Sequence, residues 1–343
     1  MEDDRNSKEF SLVPDSYYLS PDMVDMPVID LAGLNQSPIQ RSSIIQQIRN
    51  ACLQMGFFHI INHGVSRSVM EKALNSASDF FHLPDIEKNK FMSRDVNQPV
   101  RYGTSLMDSV DSREQFWRVF LKHYSHPLDK WVGSWPAKPP HYREEMGRYC
   151  VELQRVAMEV MGAIRESLGL DPTYLSEKLE SGMQVMMVNR YPPCPQPDIA
   201  ALGIPHSDYC CITILLQSRP GLQIMVSDGD GDGDGENGTW KLVQEVEGAL
   251  QVHVGDQLEV LSNGLYKSVL HRVTLNSQKT RLSLACFHSL AMDERMECAE
   301  ELVDEQLRPN GYKGSSFRDF LDFLSANDTA KGKSFIDTLK IQE

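Results

Sequence analysis

The stretch His206-Ser207-Asp208-Tyr209-Cys210, which runs directly into the β-rich residues 211–216, decides the fold. In an extended segment, side chains two residues apart leave the same face, so His206 and Asp208 can chelate one ion. A second histidine, His271, lies in another β-rich run and must reach that ion from a different strand. The three side chains therefore predict a metal site between two strands of a β-rich unit.

Two metals suit these ligands. Two imidazoles and one carboxylate on one face of an octahedron leave three positions open, which is typical of non-haem Fe(II) sites that bind substrate and oxygen. Zinc is the alternative, because three protein ligands and one water also form a hydrolytic site. A His-x-Asp pair alone can also be a simple polar pair at a strand end, so the interpretation depends on the residues that follow His271.

Arg281-Leu282-Ser283 follows His271 closely, and its two polar side chains share one face if the segment is a strand. A guanidinium grips a carboxylate with two bonds, and a hydroxyl adds a third donor. Asn189 and Tyr191 also share a face and could bind the same anion. The alternatives are an internal ion pair of Arg281 and a satisfied polar pair at 189 and 191. The position after a metal histidine favours an anionic co-substrate.

Composition excludes several classes of partner. Across 343 residues, 48 acidic side chains outnumber 34 basic ones and give a net charge of −14, which argues against nucleic acids and anionic membranes. No apolar run is long enough to span a membrane, and the start MEDDRNSKEF is unlike a signal peptide. The seven irregularly spaced cysteines indicate reduced thiols and a cytoplasmic protein that could also enter the nucleus. We expect a monomer that binds a small substrate and O2.

Hydrophobic periodicity divides the chain into four regions. We predict a flexible tail over residues 1–24 and a mostly helical region over residues 25–180, with its clearest helical stripe between Pro139 and Leu168. Short β-rich runs over residues 181–300 predict a jelly-roll barrel, and residues 301–343 return to helix. The predicted strands of the barrel are 185–190, 211–216, 222–226, 250–254, 258–261, 268–275 and 281–288. The predicted fold class is therefore α+β.

An acidic tract, Asp228-Gly-Asp-Gly-Asp-Gly-Asp-Gly-Glu236, resembles the beginning of an EF-hand calcium loop. The twelfth position of such a loop would be Thr239 instead of a bidentate glutamate, and predicted strands flank the tract where an EF-hand has helices. We therefore interpret the tract as a flexible acidic hairpin tip.

These motifs resemble those of the plant 2-oxoglutarate/Fe(II)-dependent dioxygenases, the family of flavonol synthase, anthocyanidin synthase, flavanone 3-hydroxylase and the gibberellin oxidases. The resemblance covers nearly the whole chain. Besides the metal and Arg-x-Ser motifs, it includes Pro27-Val28-Ile29-Asp30-Leu31, Gly56-Phe57-Phe58, Asn62-His63-Gly64-Val65, Asp79-Phe80-Phe81, Asn189-Arg190-Tyr191-Pro192-Pro193-Cys194-Pro195, Gly255-Asp256 and Ser262-Asn263-Gly264.

The resemblance implies a double-stranded β-helix, the jelly-roll core, with Fe(II) held by His206, Asp208 and His271. It also implies that 2-oxoglutarate chelates the iron, with ascorbate as the expected reductant. The residues implied for the far carboxylate of 2-oxoglutarate are Arg281, Ser283, Tyr191 and Asn189. The family's reaction hydroxylates, desaturates or demethylates a small metabolite and releases succinate and CO2.

The family's substrate pockets predict where the prime substrate binds. The matching positions in this chain are Tyr102, Met187, Phe287, Ser289, Phe116 and Trp117, although the last two could simply fill the core. Aromatic walls suit a flat or largely apolar flavonoid, phenolic, alkaloid or terpenoid. Flavonol and anthocyanidin synthases often have Lys in place of Met187, which argues against a flavonol or anthocyanidin product. The stretch Tyr102-Gly-Thr-Ser105 and the pairs Trp135-Pro136 and Pro139-Pro140 resemble downy-mildew-resistance-type and general plant specialised-metabolism members more closely.

Four other functions remain open from the sequence. The first is a hormone-oxidising member of the same family, of gibberellin or salicylate type. The second is an aminocyclopropanecarboxylate oxidase-like enzyme, which does not use 2-oxoglutarate. The third is a zinc hydrolase on a β-barrel, and the fourth is a degenerate barrel that only sequesters a hormone.

Overall fold

The computed structural model of the protein describes residues 23–104, 118–194, 205–227, 238–327 and 334–341. The strands are β1 (Met23–Val24), β2 (Val28–Asp30), β3 (Phe57–Ile61), β4 (Val100–Thr104), β5 (Val119–His126), β6 (Met183–Tyr191), β7 (Ile212–Gln217), β8 (Leu222–Ser227), β9 (Gly238–Val243), β10 (Leu250–Val254), β11 (His271–Val273) and β12 (Arg281–Ser289). The α-helices are α1 (Pro38–Gln54), α2 (Arg67–Phe81), α3 (Asp85–Lys88), α4 (Leu128–Trp131), α5 (Tyr142–Ser167), α6 (Ser176–Glu180), α7 (Asp256–Leu261), α8 (Phe317–Ala326) and α9 (Phe335–Leu339).

Two sheets form the barrel. The larger sheet has the order β2-β3-β10-β7-β12-β6-β5-β4, and the smaller has the order β1-β9-β8-β11. Side chains alternate between the two faces of each strand, so the larger sheet has an inner face and an outer face. Inner-face Phe57 and Leu215 pack against Leu222 and Ile224 of the smaller sheet. Helices cover the outer face, where the main core lies.

Serine caps fix the beginnings of the first two long helices. Ser37 caps α1 in a capping box with Gln40, and Pro38 occupies the first turn. Ser66 caps α2 through the backbone N–H of Val69. The predicted stripe between Pro139 and Leu168 lies on α5, where all of its positions within the helix are buried. These positions are Met146, Cys150, Leu153, Ala157, Val160 and Ile164.

Two predicted strands differ from the structure. Residues 258–261 were expected to be a strand but belong to helix α7, in which every residue is buried. A short apolar run has the same hydrophobicity in a buried helix and in a buried strand, so periodicity could not separate them. Of residues 268–275, only His271–Val273 pair as strand β11. Before β11, the backbone N–H of Ser268 donates to Oε2 of Glu259 in α7 at 2.6 Å.

The region expected to be mostly helical also contributes strands β4 and β5, which extend the larger sheet beside β6. The boundaries at residues 24, 180 and 300 stay predictions. Phe116, Trp117, the acidic tract over residues 228–236 and most of the predicted tail lie outside the described residues.

Candidate active site

Three side chains from two segments of the barrel meet at one point. His206 and His271 form an antiparallel bridge, with both backbone N···O distances at 3.0 Å. Oδ1 of Asp208 lies 3.6 Å from Nε2 of His271 and 3.8 Å from Nε2 of His206. One possible ligand atom from each of the three residues lies within 4.8 Å of the others. Two donors at about 2.1 Å from one ion can be up to about 4.2 Å apart, so the two Asp208–histidine distances suit a shared ion.

Two hydrogen bonds orient the ligand atoms. Oγ1 of Thr213 donates to Oδ2 of Asp208 at 2.6 Å, which leaves Oδ1 directed at the histidines. Nδ1 of His271 lies 3.0 Å from the carbonyl oxygen of Val269. Because a carbonyl oxygen only accepts, Nδ1 carries the proton and Nε2 offers its lone pair. Partners of this kind fix the tautomer and the orientation of metal-binding side chains.

Burial and neighbouring charges set the ionisation of the cluster. Asp208 and His271 are buried, whereas the side chain of His206 is 50% exposed. Burial alone would raise the pKa of Asp208, but His271 and His253 beside it hold that pKa well below its usual range. Burial lowers the pKa of His271, and the nearby Asp208 offsets this only in part. A charged carboxylate and a neutral imidazole are the forms that bind a divalent ion.

The loop after β10 supports the backbone of Asp208. The carbonyl oxygen of Asp208 accepts from the backbone N–H of Asp256 at 2.8 Å and of Cys210 at 3.0 Å. Gly255 permits this approach, because a Cβ there would lie 2.2 Å from the carbonyl oxygen of Cys210. The Gly255-Asp256 motif therefore holds the Asp208 segment through main-chain contacts.

A buried arginine lies at the other end of the inner face. Nε and Nη2 of Arg281 donate to Oε1 of Gln217 at 3.2 and 2.6 Å, and Nε also donates to the carbonyl oxygen of Arg219 at 3.2 Å. Within the described residues, Nη1 of Arg281 has no hydrogen-bond partner. Burial lowers the pKa of this guanidinium. Gly221 makes room for the side chain, since a Cβ there would lie 2.9 Å from Cδ of Arg281.

The strand register gathers the four residues predicted for the carboxylate. β12 pairs with β6 so that Arg281 lies opposite Tyr191 and Ser283 lies opposite Asn189. The guanidinium carbon of Arg281 is 5.0 Å from the centroid of the Tyr191 ring. Nδ2 of Asn189 donates to Oγ of Ser283 at 3.3 Å, whereas Oδ1 of Asn189 has no partner among the described residues. The four side chains thus form one polar block with unused hydrogen-bonding capacity.

Two of the predicted substrate positions share this inner face. Met187 is half-buried and lies opposite Ala285. It is two residues from Asn189 on β6 and therefore shares its face. Phe287 is half-buried and lies opposite Thr213, the residue that hydrogen-bonds Asp208. Both side chains therefore present apolar surface between the polar block and the histidine cluster.

The other two described positions are placed differently. Tyr102 lies opposite Leu121, on the outer face, and its ring packs edge-on against Phe80 of α2 with centroids 6.1 Å apart. The structure does not bring Tyr102 together with Met187 and Phe287. Ser289 is buried, and its hydroxyl donates to Oε1 of Gln257 at 3.0 Å.

Sequence reasoning did not single out Thr213 and Gln217. Both lie on the inner face of β7, where they hydrogen-bond Asp208 and Arg281 respectively. Their spacing could have revealed them. They lie two residues before and two residues after Leu215, and they are the polar residues of an otherwise apolar strand. Polar side chains on the inner face of a buried strand need partners, and here the partners are the two predicted functional residues.

A jelly roll with a His-x-Asp…His cluster and a buried arginine defines a non-haem iron oxygenase. Comparison with family models agrees. Residues 182–290 match the 2OG-Fe(II) oxygenase superfamily, and residues 26–142 match the non-haem dioxygenase in morphine synthesis N-terminal family.

Individual relatives cover almost the whole chain. It is 48% identical to 2-oxoglutarate-dependent dioxygenase 21, chloroplastic, of Oryza sativa subsp. japonica, over 95% of this chain and 94% of that protein. It is 45% identical to Flavanone 3-dioxygenase 3 of the same organism, over 92% and 93% respectively. The crystal structure of JOX2 in complex with 2OG, Fe and JA matches with a TM-score of 0.74 and 31% identity, over 93% of this chain and 90% of that one. The chain belongs to the 2OG-Fe(II) oxygenase superfamily.

These matches confirm the predicted family, the α+β jelly-roll fold and the class of enzyme. The protein is a 2-oxoglutarate-dependent dioxygenase that uses Fe(II), 2-oxoglutarate and O2 to oxidise a small molecule. Among the described residues, none of the helices is both long and apolar enough to cross a lipid bilayer.

Proposed function

We propose that this dioxygenase binds its iron through His206, Asp208 and His271 and oxidises a small, largely apolar or aromatic plant metabolite. The observation that carries the proposal is the cluster itself, in which Oδ1 of the buried Asp208 faces both histidine Nε2 atoms within 3.8 Å. Thr213 hydrogen-bonds Oδ2 of Asp208 and leaves Oδ1 for the iron, as expected for a monodentate carboxylate ligand. When bound, iron and 2-oxoglutarate together activate O2 for attack on a C–H bond.

We also propose that Arg281, Ser283, Tyr191 and Asn189 bind the far carboxylate of 2-oxoglutarate. Nη1 of Arg281 is buried without a partner among the described residues, and a buried cationic donor is costly unless an acceptor reaches it. Nε and Nη2 of Arg281 donate to the amide oxygen of Gln217 and the peptide oxygen of Arg219, which leaves Nη1 for an incoming anion. The apolar surface of Met187 and Phe287 then faces the prime substrate and keeps water from the reacting carbon.

The test is substrate-dependent release of succinate. Purified protein with Fe(II), 2-oxoglutarate and ascorbate is incubated with fractionated plant metabolites, and succinate is measured together with the mass of each metabolite. We expect a gain of one oxygen, a loss of two hydrogens or a loss of CH2. The name of the 45% identical rice relative supports beginning with flavonoids, although Met187 argues against flavonol and anthocyanidin products. Turnover confined to gibberellins or salicylate would assign a hormone-oxidising role instead.

Three outcomes would redirect the proposal. Activity that does not need 2-oxoglutarate would favour an aminocyclopropanecarboxylate oxidase-like reaction. Zinc in anaerobically prepared protein, with hydrolysis of a substrate, would favour a hydrolase. Unchanged biological function in His206→Ala would favour a barrel that only binds its ligand.

We further propose a cytoplasmic location. All seven cysteines are free thiols and six are buried, as expected in a reducing compartment. One rice relative has "chloroplastic" in its name, so imaging of a full-length fluorescent fusion must distinguish cytosol from chloroplast.

Replacing Thr213 by valine should weaken iron binding while leaving the fold intact. Valine has nearly the shape of threonine but cannot donate to Oδ2 of Asp208. Loss of such an outer partner typically costs about 10- to 100-fold in metal affinity or activity. Fe(II) titration under anaerobic conditions measures the change. Thr239→Val, at an exposed position on β9, is the control for the same substitution away from the cluster and should bind Fe(II) like the wild type. Unaltered affinity in Thr213→Val would show that this hydroxyl does not orient a ligand.

A further inference from the structure

One buried cation on the inner face has no role in the site described so far. Lys122 of β5 is only 8% exposed, and its ammonium donates to the carbonyl oxygen of Val96 at 2.7 Å. The ammonium also lies 4.9 Å from the centroid of the Tyr124 ring. Among the described residues, no carboxylate forms an ion pair with Lys122. A buried lysine ordinarily has an anionic partner, so this one is an exception that needs a reason.

The strand register directs Lys122 toward the substrate surface. β5 pairs with β6 so that Lys122 lies opposite Met187, and Met187 in turn lies opposite Ala285 of β12. Residues opposite each other in an antiparallel pair share a face, so Lys122 and Met187 line the same inner surface. Three strand spacings separate β5 from β7, where Thr213 holds Asp208, which is about 14 Å. That span fits a small metabolite lying between the histidine cluster and Lys122.

The surroundings of Lys122 increase its need for an anion. Arg101 lies opposite it on β4, so two cationic side chains are adjacent on one face. Burial and the nearby Arg101 lower the pKa of Lys122 to about 7. Asp95 is the acidic residue whose charge acts on the pKa of Lys122. Its carboxylate, however, accepts hydrogen bonds from Asn97 and Gln98 within its own turn. An incoming anion would therefore give Lys122 the ion-pair partner that no described carboxylate supplies.

We propose that the prime substrate carries an anionic oxygen, such as a carboxylate, and that Lys122 binds it at the end of the pocket remote from the histidine cluster. This inference rests on the proposed function and narrows its substrate to apolar or aromatic acids. Lys122 is a specificity residue in this scheme, since it touches the substrate far from the reacting carbon. The alternative is that Lys122 only ties residue 96 to β5 through the hydrogen bond to Val96.

The experiment compares acids with their uncharged methyl esters. The probes are trans-cinnamate, 4-phenylbutanoate, 1-naphthoate and 2-naphthylacetate, each paired with its ester. Binding to the Fe(II)- and 2-oxoglutarate-loaded protein is measured without oxygen by equilibrium dialysis. We expect at least one acid to bind about tenfold or more tightly than its ester, because a hydrogen bond to a charged group contributes about 1.5–3 kcal/mol. Lys122→Met should abolish this preference, and Lys122→Arg should retain it.

Two controls separate the possible failures. Lys313→Met, at an exposed position, should keep the preference for acids. In air and without a probe, the wild type and Lys313→Met should convert 2-oxoglutarate slowly and equally to succinate, which tests the proposed function apart from Lys122. If the wild-type protein does not form succinate under these conditions, the proposed function itself is contradicted. Esters that bind as well as acids, or a preference that survives in Lys122→Met, would overturn only the role of Lys122.

Discussion

Asp208→Ala is expected to lose iron binding and nearly all substrate-dependent succinate release. The carboxylate is the only anion of the cluster, and its Oδ1 atom lies within 3.8 Å of both histidine Nε2 atoms. Without it, two neutral imidazoles would face a dication alone. The loss should exceed the roughly 10- to 100-fold effect of removing an outer partner, because a direct ligand disappears. Iron content after anaerobic reconstitution and the rate of succinate formation measure the two effects.

The fold should survive this substitution. The segment is held by the carbonyl oxygen of residue 208, which accepts from the backbone of Asp256 and Cys210 and does not depend on the side chain. A thermal unfolding curve of the metal-free protein should therefore remain cooperative. Asp322→Ala, at an exposed position of α8, is the matched control and should bind iron normally. Iron retained at full stoichiometry in Asp208→Ala would remove Asp208 from the ligand set.

Local sequence patterns placed the two members of each polar pair on one face, because those members are two residues apart. Strand alternation placed Arg281 with Ser283 and Asn189 with Tyr191 on shared faces, and the structure has both pairs on the inner face of one sheet. The two pairs were expected to bind the same anion, but strand alternation alone could not place them side by side, because that placement depends on the register of β6 against β12. That register is set by the packing of both faces of the sheet, which no single segment encodes.

Strand β5 shows why other parts were missed. Its sequence, Val119-Phe-Leu-Lys-His-Tyr-Ser-His126, is buried on both faces, yet it contains a lysine, three other polar side chains and no clean alternation. Periodicity reads such a segment as a loop. His123 is an example, because its ring is buried on the outer face, lies 4.1 Å from the ring of Trp135 between centroids, and hydrogen-bonds the hydroxyl of Tyr142. The proposal that Lys122 lines the substrate surface depends on the pairing of β5 with β6, which sets Lys122 opposite Met187.

Arg281→Ala should raise the KM for 2-oxoglutarate by about 10- to 150-fold, the range that corresponds to loss of a charged hydrogen bond worth about 1.5–3 kcal/mol. The substitution removes the guanidinium whose Nη1 atom lacks a partner, and it leaves Gln217 without its donor. The KM for the prime substrate should change much less, because Met187 and Phe287 lie farther along the inner face. Initial rates of succinate release at varied 2-oxoglutarate measure the first effect.

Two further variants separate charge from geometry in this role. Arg281→Lys keeps the charge but not the planar fork, so it should recover part of the loss. Gln217→Leu keeps the guanidinium but removes the amide oxygen that accepts from both Nε and Nη2, so the arginine should lose orientation and give an intermediate KM. Fe(II) affinity should be unchanged in all three variants, since the block lies apart from the histidine cluster. An equal rise in KM for both substrates in Arg281→Ala would mean that the residue maintains the barrel and does not bind the co-substrate.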